Sequence, residues 1–120
     1  MPDQRRAGTI EFQIDGEMMD AVGNFTYNLG RAKREALVGA DKVHGYKEMP
    51  QPAFIEGEIR DRRTLDLKRI LDMTDATVFL RFAHGKGVVL RNAWFAGEGT
   101  GNSEEANFPV RFEGLSAEEV

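Results

Sequence analysis

Residues Ala76–Phe95 read ATVFLRFAHGKGVVLRNAWF, and the fold is decided in this stretch. Two runs rich in β-branched and aromatic residues, Thr77–Phe82 and Val88–Phe95, flank a glycine-containing turn, the pattern of a β-hairpin. Side chains alternate across a strand. Val78, Leu80 and Phe82 therefore share one face, and Val88, Leu90 and Trp94 continue it on the second arm. Thr77, Phe79, Arg81, Val89, Arg91 and Phe95 form the other face, which is half polar and suits contact with another layer or subunit. Parity decides the turn. A three-residue loop, Gly85 to Gly87 with Gly87 left-handed, sets Phe82 opposite Leu90 and joins the apolar faces, whereas a two-residue loop mixes arginine with leucine.

The surrounding chain continues in strands. Thr9–Ile14 alternates, with Ile10, Phe12 and Ile14 on one side, and Asp15-Gly16 is a turn. Glu17–Val22 reads as a short returning strand. Phe25, Tyr27 and Leu29 oppose Asn24, Thr26 and Asn28. Lys33–Val38 is short, lies between Gly30 and Gly39, and is taken as a strand. Residues 39–52 show no period and contain Gly39, Gly45, Pro50 and Pro52, so a long loop is expected there. In Ala53–Asp61, Phe54, Glu56, Glu58 and Arg60 oppose Ile55, Gly57 and Ile59. Thr64–Met73 is the one helix, capped by Thr64, with Asp66 in its first turn and Leu67, Ile70 and Leu71 on one side. Ala96–Asn107 is an acidic, glycine-rich loop, Phe108–Glu113 a last strand, and residues 115–120 an acidic tail. The expected fold is mainly β with one α-helix: a small β-sandwich or barrel with a flanking helix, in one domain over residues 1–120 with an N-terminal arm at 1–7.

Composition narrows the function. A chain of 120 residues buries a sufficient core without staples, and with no cysteine it has neither disulfides nor thiolate metal sites. No apolar run approaches the ~18 residues of a membrane span, and Met1–Arg6 lacks the apolar core of a secretion signal. A cytoplasmic site of synthesis follows as an expectation. The net charge of −4 argues against tight charge-driven binding of nucleic acid. His44 and His84, the only histidines, lie in loops without metal-ligand spacing. Neither Ser103 nor Ser116 sits in a nucleophile elbow. Gly97–Asn102 lacks the lysine and the following helix of a phosphate loop. Glu56 and Glu58 share a strand face, a spacing open to acid–base chemistry but commoner on a solvated face. No catalytic, cofactor-binding or metal site is assigned.

Five segments then carry a resemblance: Val43-His44-Gly45-Tyr46-Lys47-Glu48, Phe54-Ile55-Glu56-Gly57-Glu58-Ile59, Asp75-Ala76-Thr77-Val78, Leu90-Arg91-Asn92-Ala93-Trp94 and Val110-Arg111-Phe112-Glu113-Gly114. In this order, over Ala7 to Val120, the chain resembles the tail tube proteins of Mu-like bacteriophages and prophages. The resemblance implies a tail-tube-like sandwich or barrel in hexameric rings, stacked into a hollow tube through which DNA leaves without specific binding. It implies a tape-measure protein, a baseplate and, for a contractile tail, a sheath as partners. The implied location is the virion tail, assembled in the bacterial host cytoplasm without a membrane anchor. The alternatives are a small β-barrel ligand-binding protein, a tube subunit of a related injection or secretion device, and a carboxylate enzyme using Glu56 and Glu58. Under the tube reading, Asp41, Lys42, Val43, His44, Tyr46, Lys47 and Glu48 form an inter-ring assembly loop. Glu11, Glu56 and Glu58 are candidates for an acidic lumen face that repels phosphates.

Overall fold

The computed structural model describes residues 10–61, 63–101, 104 and 106–120. The expected N-terminal arm, Thr9 and Ser103 lie outside them. The elements run β1 (Glu11–Ile14), β2 (Glu17–Met19), β3 (Ala21–Asn28), β4 (Lys33–Val38), β5 (Val43–Met49), β6 (Ala53–Arg60), α1 (Leu67–Leu71), β7 (Ala76–Arg81), β8 (Gly87–Phe95), β9 (Asn107–Gly114) and β10 (Ser116–Glu119). The chain is thus mainly β with one short helix.

The β7–β8 hairpin keeps the expected parity, but its turn lies two residues earlier. The Phe82 N–H donates to the Lys86 carbonyl at 2.8 Å and the Gly85 N–H donates to the Phe82 carbonyl at 2.9 Å. The loop is therefore Ala83-His84-Gly85. Gly85, not Gly87, takes the positive φ of 102°. Val78, not Phe82, faces Leu90. Either glycine preserves parity; Gly87 is committed elsewhere, its N–H donating to the Val120 carbonyl at 3.0 Å. A second difference is a β-bulge. Between Val78↔Leu90 and Ala76↔Ala93 the second strand gains one residue, with Asn92 at φ 53°. Everything beyond it changes side. Ala93, not Trp94, is fully buried. Phe95 turns inward, its ring 5.6 Å from Phe112 and 6.3 Å from Phe108.

The strands form two layers. One is β2-β1-β7-β8-β10; the other is the end of β8 with β9, β6 and β3. The path begins on β2 and ends on β3, which only Asp20 separates in the chain, so the sheet curls back on itself into a flattened barrel-like sandwich. The expected single strand Glu17–Val22 is split at this crossing. Phe12, Ile14, Val78, Leu80, Val88 and Leu90 face Ile55, Ile59, Phe108, Val110 and Phe112 across a solvent-free core. Phe12 joins the layers, its ring 4.9 Å from Phe25 and 6.5 Å from Phe112. The interior between the layers is occupied by these side chains.

α1 is shorter than expected and is capped by Asp66 rather than Thr64. Asp66 has extended backbone, and its carboxylate accepts the Arg69 N–H at 3.2 Å. Only Ile70 of its apolar residues is fully buried. The acidic tail is a strand instead: β10 pairs with β8 from Ser116↔Arg91 to Glu119↔Val88. Its carboxylates are partnered there, Glu118 by Arg91 and Glu119 by Lys86, each at 2.9 Å.

Candidate assembly surface

The long loop expected at residues 39–52 is mostly a strand. β5 pairs with β4 in a two-stranded arm that belongs to neither layer, from Lys33↔Met49 to Val38↔Val43. β5 shows no sequence period because no residue of it is buried; alternation appears only where one face meets a core. The arm prolongs the β3–β6 pair. Asn28 faces Phe54 in the sandwich and Lys33 faces Met49 in the arm, one register carried across a gap. The gap is chemical. Pro50 and Pro52 have no N–H for the ladder. Gly30, at φ 84°, leaves no room for a side chain, since a Cβ there would lie 2.9 Å from that of Ala53. The Gly30 N–H donates to Asn28 Oδ1 at 2.7 Å, and Gln51 Nε2 donates to the Arg31 carbonyl at 2.8 Å. These bonds hold the joint.

Two ion pairs lie within the arm. Arg34 meets Glu48 at 3.5 Å and Lys47 meets Glu35 at 3.8 Å, both cross-strand partners. The Arg34 guanidinium lies 5.2 Å above the Tyr46 ring. Gly45, at φ 120°, supplies the bulge before the tip. His44 packs against Gly39, which has no side chain to obstruct the imidazole. Exposed pairs of this kind contribute little stability, and a lone two-stranded hairpin is marginal in water. Five of the ten exposed large apolar side chains among the described residues sit here: Leu37, Val38, Val43, Tyr46 and Met49. Such a surface is suited to contact, not to chemistry.

All seven residues expected in the assembly loop lie on this arm, Asp41 and Lys42 in its turn and the others on β5. Leu37, Val38 and Met49, also exposed on the arm, are not among the seven expected assembly residues. The signal was Ala36-Leu37-Val38 answered by Val43 across a turn.

The three lumen candidates are not brought together. Glu11 lies on the outside of the β1–β7 layer, 3.4 Å from Arg81. Glu56 and Glu58 lie on the outside of the β6–β9 layer. Glu56 meets Arg111 at 3.1 Å, and Arg111 also meets Glu113 at 3.0 Å and lies 4.1 Å over the Phe54 ring. A shallow cavity of about 320 Å³ beside Glu56 is lined by Ala96, Gly97, Glu98, Thr100 and Arg111. Glu56 in its wall is exposed and ion-paired to Arg111. No group of three histidine or carboxylate side chains among the described residues could hold a metal ion.

The described residues thus form a β-sandwich with a two-stranded arm that exposes apolar side chains. The phage tail tube protein family matches residues 3–119, and the chain belongs to it. It is accordingly a tail tube subunit, of a structural rather than enzymatic family. It is similar to the Mu-like prophage FluMu tail tube protein of Haemophilus influenzae, 26% identical over 93 residues that span 78% of each chain. Its fold is shared with the anti-feeding prophage tube-terminating cap (TM-score 0.63, 8% identity, 100% of this chain and 94% of the other). It is also shared with the PVC sheath/tube terminator of an extracellular contractile injection system (TM-score 0.64, 8% identity, 100% and 96%).

Proposed function

We propose that six copies close into a ring, that rings stack through the β4–β5 arm, and that the resulting hollow tube conducts DNA during ejection. The observation that carries this reading is the arm: a two-stranded ladder whose apolar side chains stand exposed among the described residues. Head-to-tail contacts of one kind close into rings or extend into filaments. A tube needs both, and the sandwich and the arm are separate surfaces able to supply them. The subunit would assemble in the host cytoplasm around a tape-measure protein, from a baseplate, within a sheath if the tail contracts, and remain in the virion tail. For the bore we favour the β6–β9 face. It carries Glu56, Glu58 and Glu113 against Arg60 and Arg111, whereas the β1–β7–β8–β10 face balances Glu11 and Glu118 with Arg81 and Arg91. A net acidic wall repels phosphates and lets DNA slide. A bore rich in lysine and arginine, or Glu58 on the tube's outer wall, would overturn this assignment.

The test is to replace Lys33–Met49 by a short Gly-Ser linker. The expected product is a folded sandwich that fails to lengthen tubes in negative-stain micrographs. Normal tubes from that variant would remove the arm from stacking.

A further inference from the structure

We infer that the arm is an insert gripped on both faces, lying between two other copies of this chain rather than against one. The inference rests on the stacking reading above. In a paired ladder, facing residues share a side. Arg34, Ala36, Val38, Val43, Tyr46 and Glu48 form one face; Lys33, Glu35, Leu37, Lys47 and Met49 form the other. Each face has its own ion pair, Arg34–Glu48 on the first and Glu35–Lys47 on the second. Each also has its own exposed apolar side chains, contiguous on the first face and on either side of the Glu35–Lys47 pair on the second. Val38, Val43 and Tyr46 are 72%, 62% and 57% exposed, and Leu37 and Met49 are 44% and 41% exposed. A partner on one side would bury one set and leave the other in water. Apolar surface of that kind on a projecting element marks contact.

Charge complementarity identifies the occupant as the same chain. Residues 31–49 carry five basic side chains against three acidic. The opposite end is set by strand direction. β6 leaves the arm at Ala53 and finishes at Arg60 beside Asn107, and β1 finishes at Ile14 beside Val78. The described residues within 15–20, 61–75 and 96–106 lie at that far end and hold nine acidic side chains against three basic. Met18 and Leu71 are its exposed apolar residues. The arm of one copy thus fits the far ends of others, head to tail. Two such ends side by side, as neighbours in a ring present them, cover both faces at once.

The test uses the full chain in growth from preformed tube ends. Val38→Ser with Val43→Ser removes apolar side chains from one face, and Leu37→Ser with Met49→Ser removes them from the other. Each pair is expected to raise the concentration needed for growth at least about tenfold, with melting of the sandwich unchanged. One pair growing like the parent overturns the two-sided grip and leaves stacking intact. Both growing like the parent removes the stacking reading as well. A second measurement is independent of arm folding. The chain has no cysteine, so a maleimide photocrosslinker on Leu37→Cys or Val38→Cys reports one face each in assembled tubes. Capture of another copy from both positions is expected; capture from only one overturns the proposal.

Discussion

Phe25 lies flat over Gly57, so close that a Cβ on Gly57 would sit 2.6 Å from the ring. The same ring reaches Phe12 in the other layer. One missing side chain thus lets one aromatic bridge the sandwich. Gly57→Ala is expected to destabilise by about 2 kcal/mol, the cost of overpacking a filled core, measured by urea unfolding. In a Phe25→Ala background most of that loss should vanish, because the two changes act on one contact. Full additivity would show that Gly57 serves another purpose. Asn92 is a second such position. It takes φ 53° and donates to Asp75 Oδ1 at 2.9 Å. Asn92→Gly should be nearly neutral, and Asn92→Val should cost about 1–2 kcal/mol in the same assay, since a β-branched residue resists the left-handed region.

Among the elements, β10 is held by a charge whose pH response has a definite sign. The hydrogen bond and charge of Glu119 raise the Lys86 pKa above the ordinary lysine value. A raised folded-state pKa gives stability that is complete below the ordinary value and is lost as pH climbs through the raised one. Melting curves of the parent and Lys86→Gln should therefore differ slightly at about pH 8 and converge by about pH 12. A difference that grows with pH would sink this account. The exposed pair predicts only a small gap at any pH. For α1, Asp66→Ala should cost about 1 kcal/mol by loss of the cap, measured by urea unfolding.

The whole molecule is far from spherical. Its radius of gyration is 17.4 Å and its extents are 60 × 38 × 27 Å, against about 14 Å for a compact chain of this length. The difference is expected to lie in the arm, which belongs to neither layer. Excising Lys33–Met49 should bring the radius measured by X-ray scattering to about 13 Å. A value near that of the parent would place the elongation elsewhere. Because the arm's exposed side chains include Leu37, Val38, Val43, Tyr46 and Met49, tube growth should strengthen on warming from the cold, the signature of apolar burial. Light scattering at a series of temperatures reads this directly, and growth that weakens steadily on warming contradicts it.

Alternation within single strands was legible without coordinates. Ile10–Ile14, Ala53–Asp61 and Phe108–Glu113 each divide correctly into inner and outer faces. The β class, the flanking helix, the parity of the central hairpin and the family resemblance followed from such local patterns and their order. Burial imposes a two-residue period wherever one face meets a core, and that period is written in the residues themselves. Tertiary structure decided whatever depends on a partner across a gap. It moved the turn to Gly85, inserted the bulge at Asn92 that exchanges Trp94 for Ala93, and drew the acidic tail onto β8. It paired β5 with β4, and it set Glu11 on one outer face and Glu56 with Glu58 on the other. β5 has no buried face to mark it, and an outer-facing carboxylate looks the same in sequence whichever layer carries it. Their places are fixed by pairing between distant segments, which one-dimensional periodicity does not encode.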